Sequence, residues 1–379
     1  MMLKSRREFH KKYSFFNYSS VFELPKLAMI AFVSILSICI VCLYSASGGH
    51  IRPYAYKQMM YIAISTFVFF VVISINHKFW FNWAYKILFL SILSLIFIIP
   101  FGRRALGASR WIDFGFITIQ PSEFAKIAVV LALAKFFSNL NSRDVKNITT
   151  IIKAFCIISL PLVLVFIQPD LATTVVIFGI FVSMIFTIGV RYFYFYFAFL
   201  LSLIASPIIW FKLLKEYQRL RIINFLFPEN DPLGSGYNII QSKIAIGSGG
   251  FTGKGFLQGT QGQLRFLPEH HTDFIFTIIG EEFGFIGAIV LILLYLYLIY
   301  YGYSVASKTN SVFGKLVAIG CSTILFLHLF INIGMTISLM PVAGIPLLMM
   351  SYGGSSLLLG AICVALMINV DINKNIVYL

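Results

Sequence analysis

The sequence predicts an all-α integral membrane protein of ten transmembrane helices, with both termini in the cytoplasm and one large extracytoplasmic loop between the seventh and eighth. Three observations predict this. Of the 379 residues, 59% are hydrophobic and only 11% charged, against roughly 25% charged in a soluble domain. Apolar stretches of the roughly 20 residues that a spanning helix needs recur along the chain. The net charge of +15 resolves into a one-sided distribution of Lys and Arg. Soluble globular, disordered and coiled-coil classes are excluded by the same composition.

The spans follow in order. Residues 1–26 form a basic cytoplasmic tail, and the apolar run 27–47 after it is too long for a signal peptide, so it reads as a retained first span. Residues 27–379 then make one membrane domain. The second span is 58–76. The third, 79–100, carries Lys86 near one end, and the fourth, 117–137, carries Glu123 and Lys126 inside it. The fifth, 148–168, has Lys153; 171–190 and 192–211 are charge-free. The extracytoplasmic loop covers 212–272, and 283–305 is the eighth span. From 316 to 370 there is no charge, and Pro341, Gly344 and Pro346 divide the stretch into the last two. All five cysteines lie in apolar runs, so no disulfide framework is implied, and the C-x-x-C of Cys39 and Cys42 reads as packing.

With the N-terminus inside, 16 of the 29 Lys and Arg residues are cytoplasmic. Seven of the twelve outer ones sit in the long loop, and long loops are largely exempt from the positive-inside rule. Ten of the 14 acids lie outside or in spans facing that side. Polar chemistry is therefore concentrated at the outer face, in four dense segments.

The first, GRRALGASRWIDFGFITIQPSEFAK, begins at Gly102 and includes Arg110. Pro121 suits a first helical turn, and Glu123 and Lys126 share a face at i, i+3. An intramembrane charge pair faces a cavity or a partner, although it can also simply lock helices together. The second is Gln168-Pro169-Asp170, in which Asp170 can cap the helix that follows. The third is the loop itself, with Arg219, Arg221, Lys243 and Lys254. Seven glycines fall between Gly247 and Gly262, yet Walker A fails at Ser248 and Gly255, and G-x-G-x-x-G fails at Thr252. What remains is a flexible basic loop over the membrane, suited to a lipid-linked anion. It ends in Pro268-Glu269-His270-His271-Thr272-Asp273 and runs into Gly280-Glu281-Glu282. On one helix Asp273 and Glu281 would stand about 12 Å apart, too far to share one bond, so a single acid at the water boundary is expected. Metal ligation by His270 or His271 lacks the usual spacing. The fourth segment runs from Asn332 through Pro341, Gly344 and Pro346 to SYGGSS at 351–356. Interrupted helices of this kind line a cavity or pack on protein.

Taken in order, GxxRWIDFGFITIQPSEFAK, QPDLAT, DPLGSGYNIIQSKIAIGSGGFTGKG, FLPEHHTDFIF with GEEFG, and MMSYGGSS closely resemble the SEDS family of bacterial cell-wall proteins. The resemblance covers nearly the whole chain, and GTQGQLRFLPEHHTDF looks more like RodA-type than FtsW-type members. Ala172 departs from the family's usual Gly. The resemblance implies ten spans and a peptidoglycan glycosyltransferase that polymerises lipid II into β-1,4-linked glycan at the outer face of the bacterial cytoplasmic membrane, for cell elongation and shape. It implies that Asp273 is the essential acid, as general base or as the group positioning the acceptor hydroxyl. Glu123 and Lys126 would shape the substrate cavity, and Asp170 would belong to it. Arg110, Lys126, Arg219, Arg221, Lys243 and Lys254 would stabilise pyrophosphate, aided by a divalent cation (Mg2+ or Mn2+) near Asp273, with no organic cofactor. Expected partners are lipid II, undecaprenyl-pyrophosphate-linked glycan, a class B penicillin-binding protein transpeptidase and elongation-machinery membrane proteins, with no nucleic acid. A lipid II flippase and a scaffold for wall enzymes are the alternatives.

Overall fold

The computed structural model describes residues 24–375 apart from 106–107, 114–117, 142–143, 232–233, 261–266 and 268–270. Residues 1–23 of the expected tail therefore lie outside the described residues. Each of the ten expected spans overlaps one helix: α1 (Lys26–Ala46), α2 (Tyr54–Ser74), α3 (His77–Phe101), α4 (Pro121–Ser138), α5 (Ile148–Ile167), α6 (Leu171–Ile188), α7 (Tyr192–Ile208), α11 (Gly284–Lys308), α12 (Val312–Thr336) and α13 (Gly354–Ile372). Nine of them are long and apolar enough to cross a membrane. The tenth, α4, carries Glu123, Lys126 and Lys135. Its start is set by chemistry rather than hydropathy, because Pro121 occupies the first helical position, where a missing N–H costs nothing.

Burial sorts these helices. In α12 and α13, 78% of the most apolar window is buried, against none in α7, and 14 of the 18 residues of α4 are buried. The centre is thus α4, α12 and α13, with α3 and α6 packed on α4, while α7 faces outward. The charged helix occupies the middle because surrounding protein, unlike lipid, can supply partners for Glu123 and Lys126.

The fold is helical as expected, with one feature the sequence did not announce and one expectation to correct. Between α3 and α4, β1 (Arg103–Ala105), β2 (Ala108–Asp113) and β3 (Thr118–Ile119) form a small three-stranded antiparallel sheet in the order β1-β2-β3. Trp111 pairs with Arg103, and Ile112 with Ile119. Strands this short carry too little alternation to stand out beside long apolar helices.

The long loop is not a flexible, unstructured cover. It folds into α8 (Glu216–Leu226) and α9 (Ser235–Gly249), and α9 packs against α10 (Ile275–Glu282). Its glycines allow backbone to lie on backbone. A Cβ at Gly249 would meet the Gly280 carbonyl oxygen at 1.9 Å, and one at Gly253, whose φ is +84°, would meet that of Glu282 at 2.1 Å. The closeness is used, since Lys254 N donates to Glu281 O (3.0 Å), Gly255 N to Glu282 O (3.1 Å) and Phe285 N to Gly250 O (2.9 Å). Gly249→Ala should therefore cost about 1–3 kcal/mol by overpacking and open the loop to limited proteolysis at a protease dose that leaves the wild type intact.

Candidate active site

Glu123 lies in the first turn of α4 and Lys126 one turn on. Lys126 Nζ is 2.9 Å from Glu123 Oε1 and 2.8 Å from His328 Nε2 on α12. All three residues are at most 2% exposed. His328 Nδ1 is 2.9 Å from Pro346 O. A carbonyl can only accept, so Nδ1 carries the hydrogen and Nε2 accepts from the ammonium. A neutral imidazole thus joins the ion pair to the segment linking α12 and α13. Glu123 Oε2 is buried with no hydrogen-bond partner among the described residues, so one acceptor of the pair is left without a protein donor there.

Asn332 follows His328 by four residues, about 6 Å along the same face of α12. Its buried Nδ2 donates to Asp273 O and to Ile345 O, each at 2.8 Å. Asp273 sits in the turn before α10, partly exposed, and its Oδ2 lies 3.5 Å from where a Cβ would stand on Gly344. Residues 345 and 346 are therefore held from one side by His328 and Asn332. Through them the intramembrane pair and the Asp273 turn belong to one polar network.

The rest of that linking segment is anchored group by group. Tyr295 Oη donates to Leu348 O, and Leu347 N to Ser351 Oγ at 2.8 Å. Gln58 of α2 donates to Ser351 O (3.3 Å) and accepts from Gly353 N (3.2 Å). Tyr352 N donates to His271 O at 2.9 Å, and the His271 ring stacks on Tyr54 at 4.1 Å between centroids. SYGGSS thus acts as a packed junction of α2, α13 and the turn that presents Asp273. Non-helical backbone at this depth is tolerated because protein satisfies its polar groups.

Asp170 caps α6, its Oδ1 accepting from Thr173 N at 3.2 Å and its Oδ2 from Thr173 Oγ1 at 3.0 Å. It also faces Gln120, whose Nε2 is 3.4 Å from Oδ2 and whose backbone N donates to Ser355 Oγ at 3.0 Å. Asp170 therefore joins the rim formed by the start of α4 and SYGGSS, serving as cap and rim together.

The bases are placed differently. Lys254 Nζ is 2.7 Å from Glu281 Oε1, which also accepts from Thr260 N (2.8 Å) and Thr260 Oγ1 (3.0 Å). Its charge is matched, so a pyrophosphate contact from Lys254 has to compete with this pair. Arg219 on α8 donates from Nη2 to Phe211 O at 2.7 Å. Arg221 is on the same helix, and Lys243 is exposed on α9. Arg110 is in β2, and its side chain, like His270, lies outside the described residues. Glu282 accepts from Ser45 of α1. Burial pushes its carboxyl above the ordinary carboxylate range, and hydrogen bonds from Ser45, Leu257 and Gly259 oppose the rise. Among the described residues no three His, Cys, Asp or Glu side chains converge as metal ligands.

Sequence reasoning missed His328 and Gln58. For His328 the available signal was a polar side chain inside an apolar run at i, i+4 spacing to Asn332, whereas Gln58, the first residue of the expected second span, gave none.

The chain matches the family model described as "Cell cycle protein" (FtsW, RodA and SpoVE) over residues 19–376. It is 43% identical over 319 residues to the peptidoglycan glycosyltransferase MrdB of Escherichia coli K12, covering 83% of this chain and 85% of that one. The peptidoglycan glycosyltransferase RodA of Treponema pallidum is 33% identical over 407 residues, covering 88% and 94%. In three dimensions the chain superposes on a member of a peptidoglycan synthase complex that coordinates polymerization and crosslinking. That match has a TM-score of 0.80 at 26% identity and covers 95% of this chain and 98% of that one.

Proposed function

The chain belongs to the FtsW, RodA and SpoVE family, the SEDS family that its motifs resemble, and from that premise we propose that its outward site polymerises lipid II with Asp273 as the single base. It is a multi-pass membrane peptidoglycan glycosyltransferase. The observation that carries the reading is the network of Lys126, His328, Pro346, Ile345 and Asn332, which ties the Asp273 turn to the buried charges of α4.

The chemistry needs little more. The 4-hydroxyl of one lipid II GlcNAc attacks the anomeric carbon of the MurNAc at the end of another chain. Asp273 takes the hydroxyl proton as the new C–O bond forms, and the bond to the lipid pyrophosphate breaks with its electron pair leaving on oxygen. One displacement converts an α-linked donor into a β-1,4 product. Fixed cations stabilise the leaving charge. Arg110, Arg219, Arg221 and Lys243 are assigned to that role at the loop and sheet, and Lys254 joins them when Glu281 releases it. Lys126, held by Glu123 and His328, shapes the inner wall of the cavity, and Asp170 its rim. A divalent cation near Asp273 would add positive charge beside the leaving pyrophosphate, with the Asp273 carboxylate as the group to hold it. Adding EDTA should then slow polymerisation; an unchanged rate in chelator removes the cation from the reaction.

The enzyme works in the bacterial cytoplasmic membrane beside a class B penicillin-binding protein, which supplies cross-linking, and other elongation-machinery proteins. The superposition on a chain from a synthase complex supports that partnership. Purified protein mixed with lipid II in detergent should produce glycan strands, faster with the transpeptidase present. Movement of lipid II across a liposome bilayer without strand formation would instead mark a transporter.

A further inference from the structure

On the face of α3 turned away from the bundle, Trp83, Tyr85, Lys86, Phe89 and Leu90 line a shallow groove of about 440 Å³. Its aromatic and aliphatic walls are 40–60% exposed. Two ammonium groups stand at its cytoplasmic end. Lys86 Nζ lies 4.4 Å from the Trp83 ring centroid. Lys135, near the C-terminal end of α4, lies 5.0 Å from both the Tyr85 and Phe81 rings and donates to Asn82 O at 3.1 Å. Neither lysine forms an ion pair among the described residues. Each ammonium is thus fixed over an aromatic ring beside the groove with its charge unmatched by a carboxylate among the described residues, an arrangement that favours an anion there. Below them Leu93, Ile96 and Phe97 continue the exposed stripe at three- and four-residue spacing. The stripe from residue 86 to 97 runs about 16 Å, room for an acyl chain laid along the helix.

We propose that this groove binds an anionic glycerophospholipid of the cytoplasmic leaflet, its phosphate held between Lys86 and Lys135 and an acyl chain lying along residues 89–97. The chemistry fits each part. Basic groups at cytoplasmic ends of transmembrane helices attract anionic headgroups, Trp and Tyr settle at headgroup level, and long lysines reach the interface while their stems stay in the apolar layer. The site is separate from the polymerising cavity, which opens at the opposite ends of α3 and α4.

The test is native mass spectrometry of the full chain in detergent, titrated with dioleoylphosphatidylglycerol or dioleoylphosphatidylcholine. The wild type should retain phosphatidylglycerol preferentially. Lys86→Gln/Lys135→Gln should lower that preference about tenfold, and Lys308→Gln/Lys315→Gln, which removes the same charge from another cytoplasmic hairpin, should keep it. Should the first variant fold poorly, Lys86→Arg/Lys135→Arg must keep the preference and Phe89→Ser must weaken retention. Equal retention of both lipids by the wild type overturns the site. So does a preference that survives loss of Lys86 and Lys135, or one that falls equally in the Lys308 and Lys315 variant.

Discussion

Asp273→Ala should lower lipid II polymerisation by a factor of about 10² to 10⁴, the usual contribution of a positioned general base, while the protein still inserts and purifies as a monodisperse species. The structure explains why chemistry and folding separate here. Asp273 is anchored through its backbone carbonyl, which takes the hydrogen bond from Asn332, and that bond survives removal of the carboxylate. The carboxylate itself lies beside Gly344 at the partly exposed mouth. Strand length and yield on gels, with purified full chain and lipid II, are the readout. Normal strand synthesis by the variant would remove Asp273 from the chemistry.

The second large effect is on stability. Lys126→Met strips Glu123 of its cation in an environment where both are at most 2% exposed. Breaking a buried pair from one side costs about 3–5 kcal/mol, because the remaining charge is left uncompensated. Thermal unfolding in detergent should show a lower transition for Lys126→Met than for Glu123→Gln, whose amide can still accept from Lys126. Glu123→Gln/Lys126→Met carries no buried charge and should recover more than half of the lost stability without recovering polymerisation. If the double variant unfolds as readily as Lys126→Met alone, the cost lies in packing and the electrostatic account of α4 is wrong.

Much of this was legible in the residues because its physics is local. A stretch of about 20 apolar residues has to be helical in lipid, since no other backbone arrangement satisfies its own hydrogen bonds there. For the same reason Pro341, Gly344 and Pro346 had to interrupt the last run, and the structure has a non-helical segment there between α12 and α13. Asp273 stood out as an acid at a span boundary, and Glu123 with Lys126 as charges inside a span. What stayed hidden depends on partners far along the chain. His328 is uncharged in an apolar run, and its role needs Lys126, 202 residues away, together with Pro346. Gln58 acts on Ser351 and Gly353, nearly 300 residues on. The loop's glycines implied mobility by composition, whereas Gly249 and Gly253 are required by the carbonyls of Gly280 and Glu282 pressed against them. Lys254 counted as one more cation until Glu281 was seen to hold it.

The central claim, that Asp273 acts on the acceptor proton and not in holding substrate, is tested most directly with the isosteric variant Asp273→Asn in a single-turnover assay. Protein in excess is loaded with fluorescent lipid II, and both the bound fraction and the rate of the first glycosidic bond are measured. Asp273→Asn should bind lipid II within about threefold of the wild type and form the bond at least about a hundredfold more slowly. Bond formation at the wild-type rate, or a loss confined to binding, would contradict the account.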